Sequence, residues 1–205
     1  VNPGEPALLR GRIITPIDEL PIRDAVVLQP LDLSKQENRQ VWLTVHVSER
    51  AKPGRYFTAI TISAGDTTLA SLPVTVDVLP FVLQPPALDV SIYYRGYLDE
   101  RFPEGSISPE AKSREQYRAD LENMAAHGIR SPVIYQPLSS KLLPEALSIV
   151  NDAGLKGGTL FYLGLNIVDN NEGVINERLG RDVRKVLAIA DDYGFEQVYF
   201  YGRDE

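Results

Sequence analysis

The chain has 205 residues, 43% hydrophobic and 24% charged, proportions that suit a globular protein with room for one large domain or two modest ones. A formal net charge of -7 argues against nucleic acid or an anionic membrane surface as the main partner. Cysteine is absent, which excludes disulfides, zinc–thiolate sites and cysteine nucleophiles, and no apolar run approaches the ~20 residues of a membrane-spanning helix.

Residues 1–84 read as all-β. "LLRGRII" and "DAVVLQP" fit two strands. "RQVWLTVHV" alternates Val41, Leu43, Val45 and Val47 against Trp42, Thr44 and His46, the period of a half-buried strand. "KPG" turns the chain through Pro53 and Gly54, "RYFTAITI" alternates again, "AGD" is a turn, and "LASLPVTVDVLPF" gives a further strand. Helical periodicity is missing throughout. About five strands with turns every 8–12 residues predict a small β-sandwich.

The style changes at the proline-rich "LQPPALD", where Pro85 and Pro86 make a short stiff link. From residue 85 onward, strand and helix alternate. "DVSIYYRGY" reads as a strand. "SPEAKSREQYRADLENMAAHG" reads as a helix with Ser108 as N-cap, Pro109 at the first helical position, and Tyr117, Leu121 and Met124 on one face. "SPVIYQ" is the next strand, "LPEALSIVNDAG" the second helix and "GGTLFYLGLN" the third strand. "NERLGRDVRKVLAIADDYG" is the third helix, with an apolar stripe through Leu179, Val183, Val186, Leu187 and Ala190, and "QVYFYGRDE" is the fourth strand. All three helices end on a glycine followed by an apolar residue: Gly128-Ile129, Gly154-Leu155 and Gly194-Phe195. That is the signature of a Schellman ending.

Consecutive strand–helix units predict a parallel sheet with right-handed crossovers. A doubly wound sheet and a (β/α)₈ barrel both satisfy that. The first strand-to-helix turn lacks a glycine fingerprint for dinucleotides, which counts against the doubly wound sheet. The expected architecture is therefore mixed: an all-β sandwich over 1–84, then the first half of a (β/α)₈ barrel over 85–205. On that reading the chain ends after the fourth barrel strand and opens on Val1 rather than Met. A longer parent protein is expected, with the remainder of the barrel or a companion chain covering the sheet.

"AKPGRYFTAITISAG" and "ASLPVTVDVLPFVL" resemble the small β-sandwich that precedes the barrel in glycoside hydrolase family 123 and related barrel proteins, with its "PG-x-Y" turn and "V-x-V-x-x-F-x-L" exit. The "MAAHGI" helix end and a fourth strand closing on adjacent Asp204 and Glu205 are similar too. The resemblance implies a β-N-acetylhexosaminidase that uses the acetamido group of its own substrate as nucleophile, with Asp204 and Glu205 as the catalytic pair. Ordinary retaining hydrolysis instead needs two carboxyl groups about 5–5.5 Å apart across the anomeric carbon. Adjacent residues of a regular strand point to opposite faces, so Asp204 and Glu205 suit a bulged strand end at which both act on one side of the ring. Glu205 then protonates the leaving oxygen and Asp204 orients the acetamido group. Tyr199, Phe200 and Tyr201 supply a less polar setting.

Arg95, near the end of the first strand, offers a fork of donors to sugar hydroxyls, and its competing use is an ion pair at the rim. Tyr135, Gln136 and Asn166, at the ends of the second and third strands, are further substrate-binding candidates that packing or loop capping would equally explain. Two alternatives remain open. One is a two-carboxylate glycosidase with Glu205 as acid/base and its nucleophile on a later strand. The other is a non-catalytic surface or carbohydrate-binding protein. A secreted, periplasmic or cell-surface location is expected. His46 alternates with apolar neighbours and reads as structural, and His127 suits the carboxyl end of a helix dipole. With two histidines and no cysteine, neither a transition-metal site nor any cofactor is expected. "DNNEG" places its glycine one position too early for a calcium-binding EF-hand loop, and "GLKGG" lacks the ending of a phosphate loop.

Overall fold

The computed structural model describes residues 7–9, 12–19, 25, 27–84, 87–165 and 177–201. β1 (Ala7–Leu9) and β2 (Arg12–Pro16) form an antiparallel pair with Leu9 opposite Arg12. The single strand expected over "LLRGRII" is therefore two strands doubled back. β3 (Gly54–Ala64) and β4 (Thr67–Val78) make a long antiparallel hairpin in the register Gly54↔Val78 to Ala64↔Thr67, with an irregularity between Ile62 and Ser63. Arg55 and Asp77, directly opposite in that register, join through Nε–Oδ1 at 2.7 Å and Nη2–Oδ2 at 3.2 Å.

Residues 27–53 form no regular strand, although "RQVWLTVHV" carries a clear alternation. Alternation specifies which face a strand would bury, but a strand exists only where a neighbour supplies the ladder. Trp42 remains 83% exposed, and Val41, Leu43, Val45 and Val47 are all exposed.

Beyond the proline pair, β5 (Tyr97–Leu98), β6 (Ser106–Ile107) and β7 (Ala111–Lys112) are two-residue strands. β6 pairs antiparallel with β2, and β5 pairs parallel with β7. The expected strand over 89–97 is regular only from Tyr97. Its earlier part is tied to the sheet region by Val90, whose carbonyl accepts the amides of Arg130 and Ser131 at 3.1 and 3.3 Å.

α1 (Arg114–Ala126) starts later than expected. Its N-cap is Ser113, whose hydroxyl accepts the Gln116 amide at 3.2 Å, and the sequence Ser113-x-x-Gln116 has the capping-box spacing that Ser108-x-x-Ala111 lacks. β8 (Val133–Ile134), α2 (Leu143–Asp152), β9 (Thr159–Tyr162), α3 (Glu177–Asp192) and β10 (Gln197–Phe200) follow. β8, β9 and β10 are parallel and lie side by side in chain order, with Ile134 and Phe200 both level with Tyr162. α2 and α3 provide the crossovers that parallel neighbours require.

The three helices end as expected. Ile129, Leu155 and Phe195 donate to Met124, Val150 and Ala190, while Gly128, Gly154 and Gly194 donate to Ala125, Asn151 and Asp191 at φ of +86°, +85° and +79°. These are Schellman motifs, and Leu155 and Phe195 bury their side chains beneath them.

The core gathers Tyr117 and Leu121 of α1, the apolar face of α2, and Val186 and Ala190 of α3 against Ile134, Leu160 and Tyr162. Residues of one strand that share a core lie two apart, so all three helices cover the same face of the parallel sheet. Contacts divide the chain into two units, residues 1–24 with 86–205, and residues 25–85. This division and a sandwich domain over 1–84 differ in where they put residues 1–24, which the β2–β6 ladder ties to the later chain.

Candidate functional site on the tyrosine face of the parallel sheet

The face of the sheet opposite the helices is aromatic. Val133, Phe161 and Tyr199 line up across β8, β9 and β10 by register, and the Phe161 and Tyr199 rings stack at 5.5 Å between centroids. Alternation carries the same face forward to Tyr135 and Tyr201, the first residues past the carboxyl ends of β8 and β10. Tyr93 joins them, with its ring 6.4 Å from that of Tyr135 and 6.5 Å from that of Tyr201. Tyr93, Tyr199 and Tyr201 are 60%, 55% and 50% exposed, so these rings form a surface and not a core.

Tyr94 goes the other way. Its hydroxyl donates to Asp120 Oδ2 at 2.8 Å, its ring packs near Tyr117, and Lys112 Nζ lies 3.0 Å from the same Asp120 oxygen. Burial first, and then the Asp120 charge, push the Tyr94 phenol well above its ordinary range.

Arg95 returns to the tyrosine face. Its guanidinium carbon sits 5.6 Å from the centre of the Tyr135 ring, and Nη2 pairs with Glu110 Oε1 at 2.7 Å. The two side chains differ in setting: 44% of Arg95 is exposed, against 11% of Glu110. The acid is held by its backbone. The Ser108 hydroxyl accepts the amides of Glu110 and Ala111 at 3.2 and 3.3 Å, and the Glu110 carbonyl accepts the Tyr97 amide at 2.9 Å.

Gln136 is 1% exposed. Its Oε1 accepts the Leu98 amide at 2.7 Å, and its Nε2 donates to the Leu98 carbonyl at 3.2 Å and to Ser140 Oγ at 2.8 Å. Its backbone carbonyl accepts the Tyr162 hydroxyl at 2.9 Å. The amide that the sequence offers for substrate binding is thus occupied in clamping β5 to β8 and to the turn before α2. Asn166, Asp204 and Glu205 lie outside the described residues. Of the expected site residues, the structure brings Arg95 and Tyr135 together and directs Gln136 elsewhere.

No family model matches the chain, nor does any curated protein or solved structure.

Sequence reasoning missed Glu110 and Tyr93. A helix begun at Ser108 takes in Glu110, whereas the better capping box at Ser113 marks residues 108–112 as preceding it. Tyr93 shares the alternation of Arg95, two residues on, and so belongs to the same face. Among the described residues, no group of three or more histidine, aspartate or glutamate side chains is placed to hold a metal ion, and no helix is long and apolar enough to cross a membrane. What the arrangement offers chemically is flat aromatic surface next to a fixed guanidinium. Tyrosines present an apolar face with a polar tip, and the guanidinium presents directed N–H donors.

Proposed function

We propose that the tyrosine face belongs to the sugar-binding site of a glycoside hydrolase of the substrate-assisted β-N-acetylhexosaminidase type, on a β-sandwich followed by the first half of a (β/α)₈ barrel. The observation that carries the reading is the joining of Tyr93 and Arg95 to Tyr135 and Tyr201, which stand just past the carboxyl ends of the parallel strands β8 and β10. That end of such a sheet is where barrels place their chemistry. A pyranose has apolar C–H faces and hydroxyl edges, so it complements rings and guanidinium donors together. The sequential order β8–β9–β10, with the helices on one face, supports the barrel.

Asp204 and Glu205 follow Tyr201 by only three and four residues in sequence. In this mechanism Glu205 donates a proton to the glycosidic oxygen as its bond to the anomeric carbon breaks and the substrate's acetamido oxygen attacks that carbon. The aglycone leaves as its alcohol, water deprotonated by Glu205 then opens the cyclic intermediate, and Asp204 orients and charge-stabilises the acetamido group. Glu205 must stay protonated near neutral pH, which a less polar setting favours.

The test uses the full-length protein and aryl and alkyl β-N-acetylhexosaminides. Glu205→Gln should lose most turnover on alkyl glycosides and far less on activated aryl ones, because proton donation matters least where the leaving group is already good. Asp204→Asn should depress both by about 10²–10³-fold, the usual cost of removing one stabilising group from a transition state. Full activity on plain galactosides or glucosides, with Asp204→Asn unaffected, would sink substrate assistance and promote the two-carboxylate alternative.

A further inference from the structure

We infer that Glu110 is a specificity-determining residue: it masks the charge of Arg95, so that this end of the tyrosine face takes neutral sugars and rejects anionic ones. The inference rests on the carbohydrate reading above and deepens it to a substrate class.

An arginine on an exposed aromatic surface is normally a magnet for carboxylates and sulfates, which its planar fork binds bidentately. Arg95 is differently placed. One nitrogen is taken by Glu110 Oε1 at 2.7 Å, and the guanidinium lies over the Tyr135 ring. The acid is the fixed member of the pair, because its side chain is 11% exposed and its amide and carbonyl are bound by Ser108 and Tyr97. It is therefore no mobile rim group that an incoming anion can push aside.

Two consequences follow for a ligand. A sulfate or carboxylate meets a cation already balanced and must settle beside a carboxylate, a like-charge juxtaposition that disfavours it. A hydroxyl carries no charge and accepts from the remaining guanidinium N–H donors without that penalty. Glu110 touches no substrate on this view. It acts through Arg95, both by holding the guanidinium on Tyr135 and by cancelling its charge.

The experiment follows the Arg95 side-chain NMR resonances of the full chain, identified by their loss in Arg95→Lys, during titration with N-acetylgalactosamine and with its 6-sulfate. The wild type should prefer the neutral sugar by roughly tenfold. Glu110→Gln keeps an acceptor for Arg95 but removes the charge, so the preference should vanish or reverse, and Glu110→Asp should restore it. A merely structural role for Glu110 would weaken both sugars alike and leave their ratio unchanged. Equal binding of the two sugars by the wild type, or an unchanged ratio in Glu110→Gln, overturns the inference while leaving the carbohydrate reading intact. If Glu110→Gln fails to fold, equal binding of the two sugars by the wild type still overturns the inference. If the wild type binds neither sugar but Glu110→Gln gains inorganic sulfate at Arg95, charge masking stands and the carbohydrate reading falls. If nothing binds to any variant, both fall.

Discussion

At Gly164 the chain passes so close to the Gln136 carbonyl oxygen that a β-carbon would overlap it, and the Tyr162 hydroxyl is only 2.7 Å from the same point. Neither neighbour is free to give way. The Gln136 carbonyl holds the Tyr162 hydroxyl at 2.9 Å, and the Gln136 amide is bound to Leu98 and Ser140. Gly164→Ala should therefore destabilise the protein by about 1–3 kcal/mol, the ordinary cost of forcing extra volume into a packed site. The measurement is a urea midpoint, which should fall with the slope unchanged. An unshifted midpoint would mean that Gln136 is not clamped. The sequence made part of this neighbourhood legible. Tyr135 and Arg95 were recognisable because residue types that suit sugars stood at strand ends. Gln136 stands there too, but alternation sends it to the face opposite Tyr135, where it is buried and bound to Leu98 and Ser140. Glu110 was beyond local reasoning in another way. Its partner Arg95 lies fifteen residues back in the chain, and no spacing rule links an irregular segment to a turn before a helix.

Helix ends were the most readable elements, and helix starts the least. A Schellman ending is written in two adjacent residues, a glycine and an apolar one, so all three were visible in the sequence. The start of α1 offers two serines, and Pro109 after Ser108 favours the first of them in sequence. Proline tolerates the first helical position but does not require a helix. Here residues 111–112 extend to form β7 against β5, a pairing that depends on distant chain, and the helix waits for Ser113. Ser113→Ala should cost about 1 kcal/mol, as loss of an N-cap hydroxyl usually does. The Gln116 amide, which loses its acceptor, should exchange with solvent faster, and Ser113→Thr should largely preserve both properties. If Ser113→Ala is silent while Ser108→Ala speeds Gln116 exchange, the helix starts at Ser108 after all. Strands are less legible in sequence than helices because each needs a partner. The alternation in residues 39–47 is as clear as that in β3, yet only β3 has a ladder.

The two units of the chain differ in how they bury apolar surface. Residues 25–85 keep Trp42, Phe57, Val82 and Leu83 exposed, whereas the core lies in the helix-covered layer of the other unit. Tyr94, Tyr117 and Tyr162 lie in that layer, and each links the core to pH. Burial raises the phenols of Tyr117 and Tyr162 well above the ordinary range. It does the same for Tyr94, and the Asp120 charge adds to the effect at Tyr94 and Tyr117. The sign of the linkage follows from the direction. Below about pH 10, the ordinary phenol value, these side chains are neutral in the folded and unfolded chain alike, and the stability of the core is fully present. Above it the unfolded chain releases protons that the folded chain retains, so stability falls as pH rises. Each tyrosine removes up to ~1.4 kcal/mol per pH unit until its folded value is reached. Together the three should remove about 4 kcal/mol per unit, a large share of the 5–15 kcal/mol typical of a domain. Phenolate absorbance should therefore show Tyr94, Tyr117 and Tyr162 still protonated above the ordinary range. They should then ionise together, in a step that coincides with loss of helical circular dichroism. Tyr162→Phe, which removes one of the three, should move that step to higher pH relative to its own neutral-pH stability. Ionisation of Tyr94, Tyr117 and Tyr162 in the ordinary range with the helices intact would show that this layer is not the sealed core on which the tyrosine face is mounted.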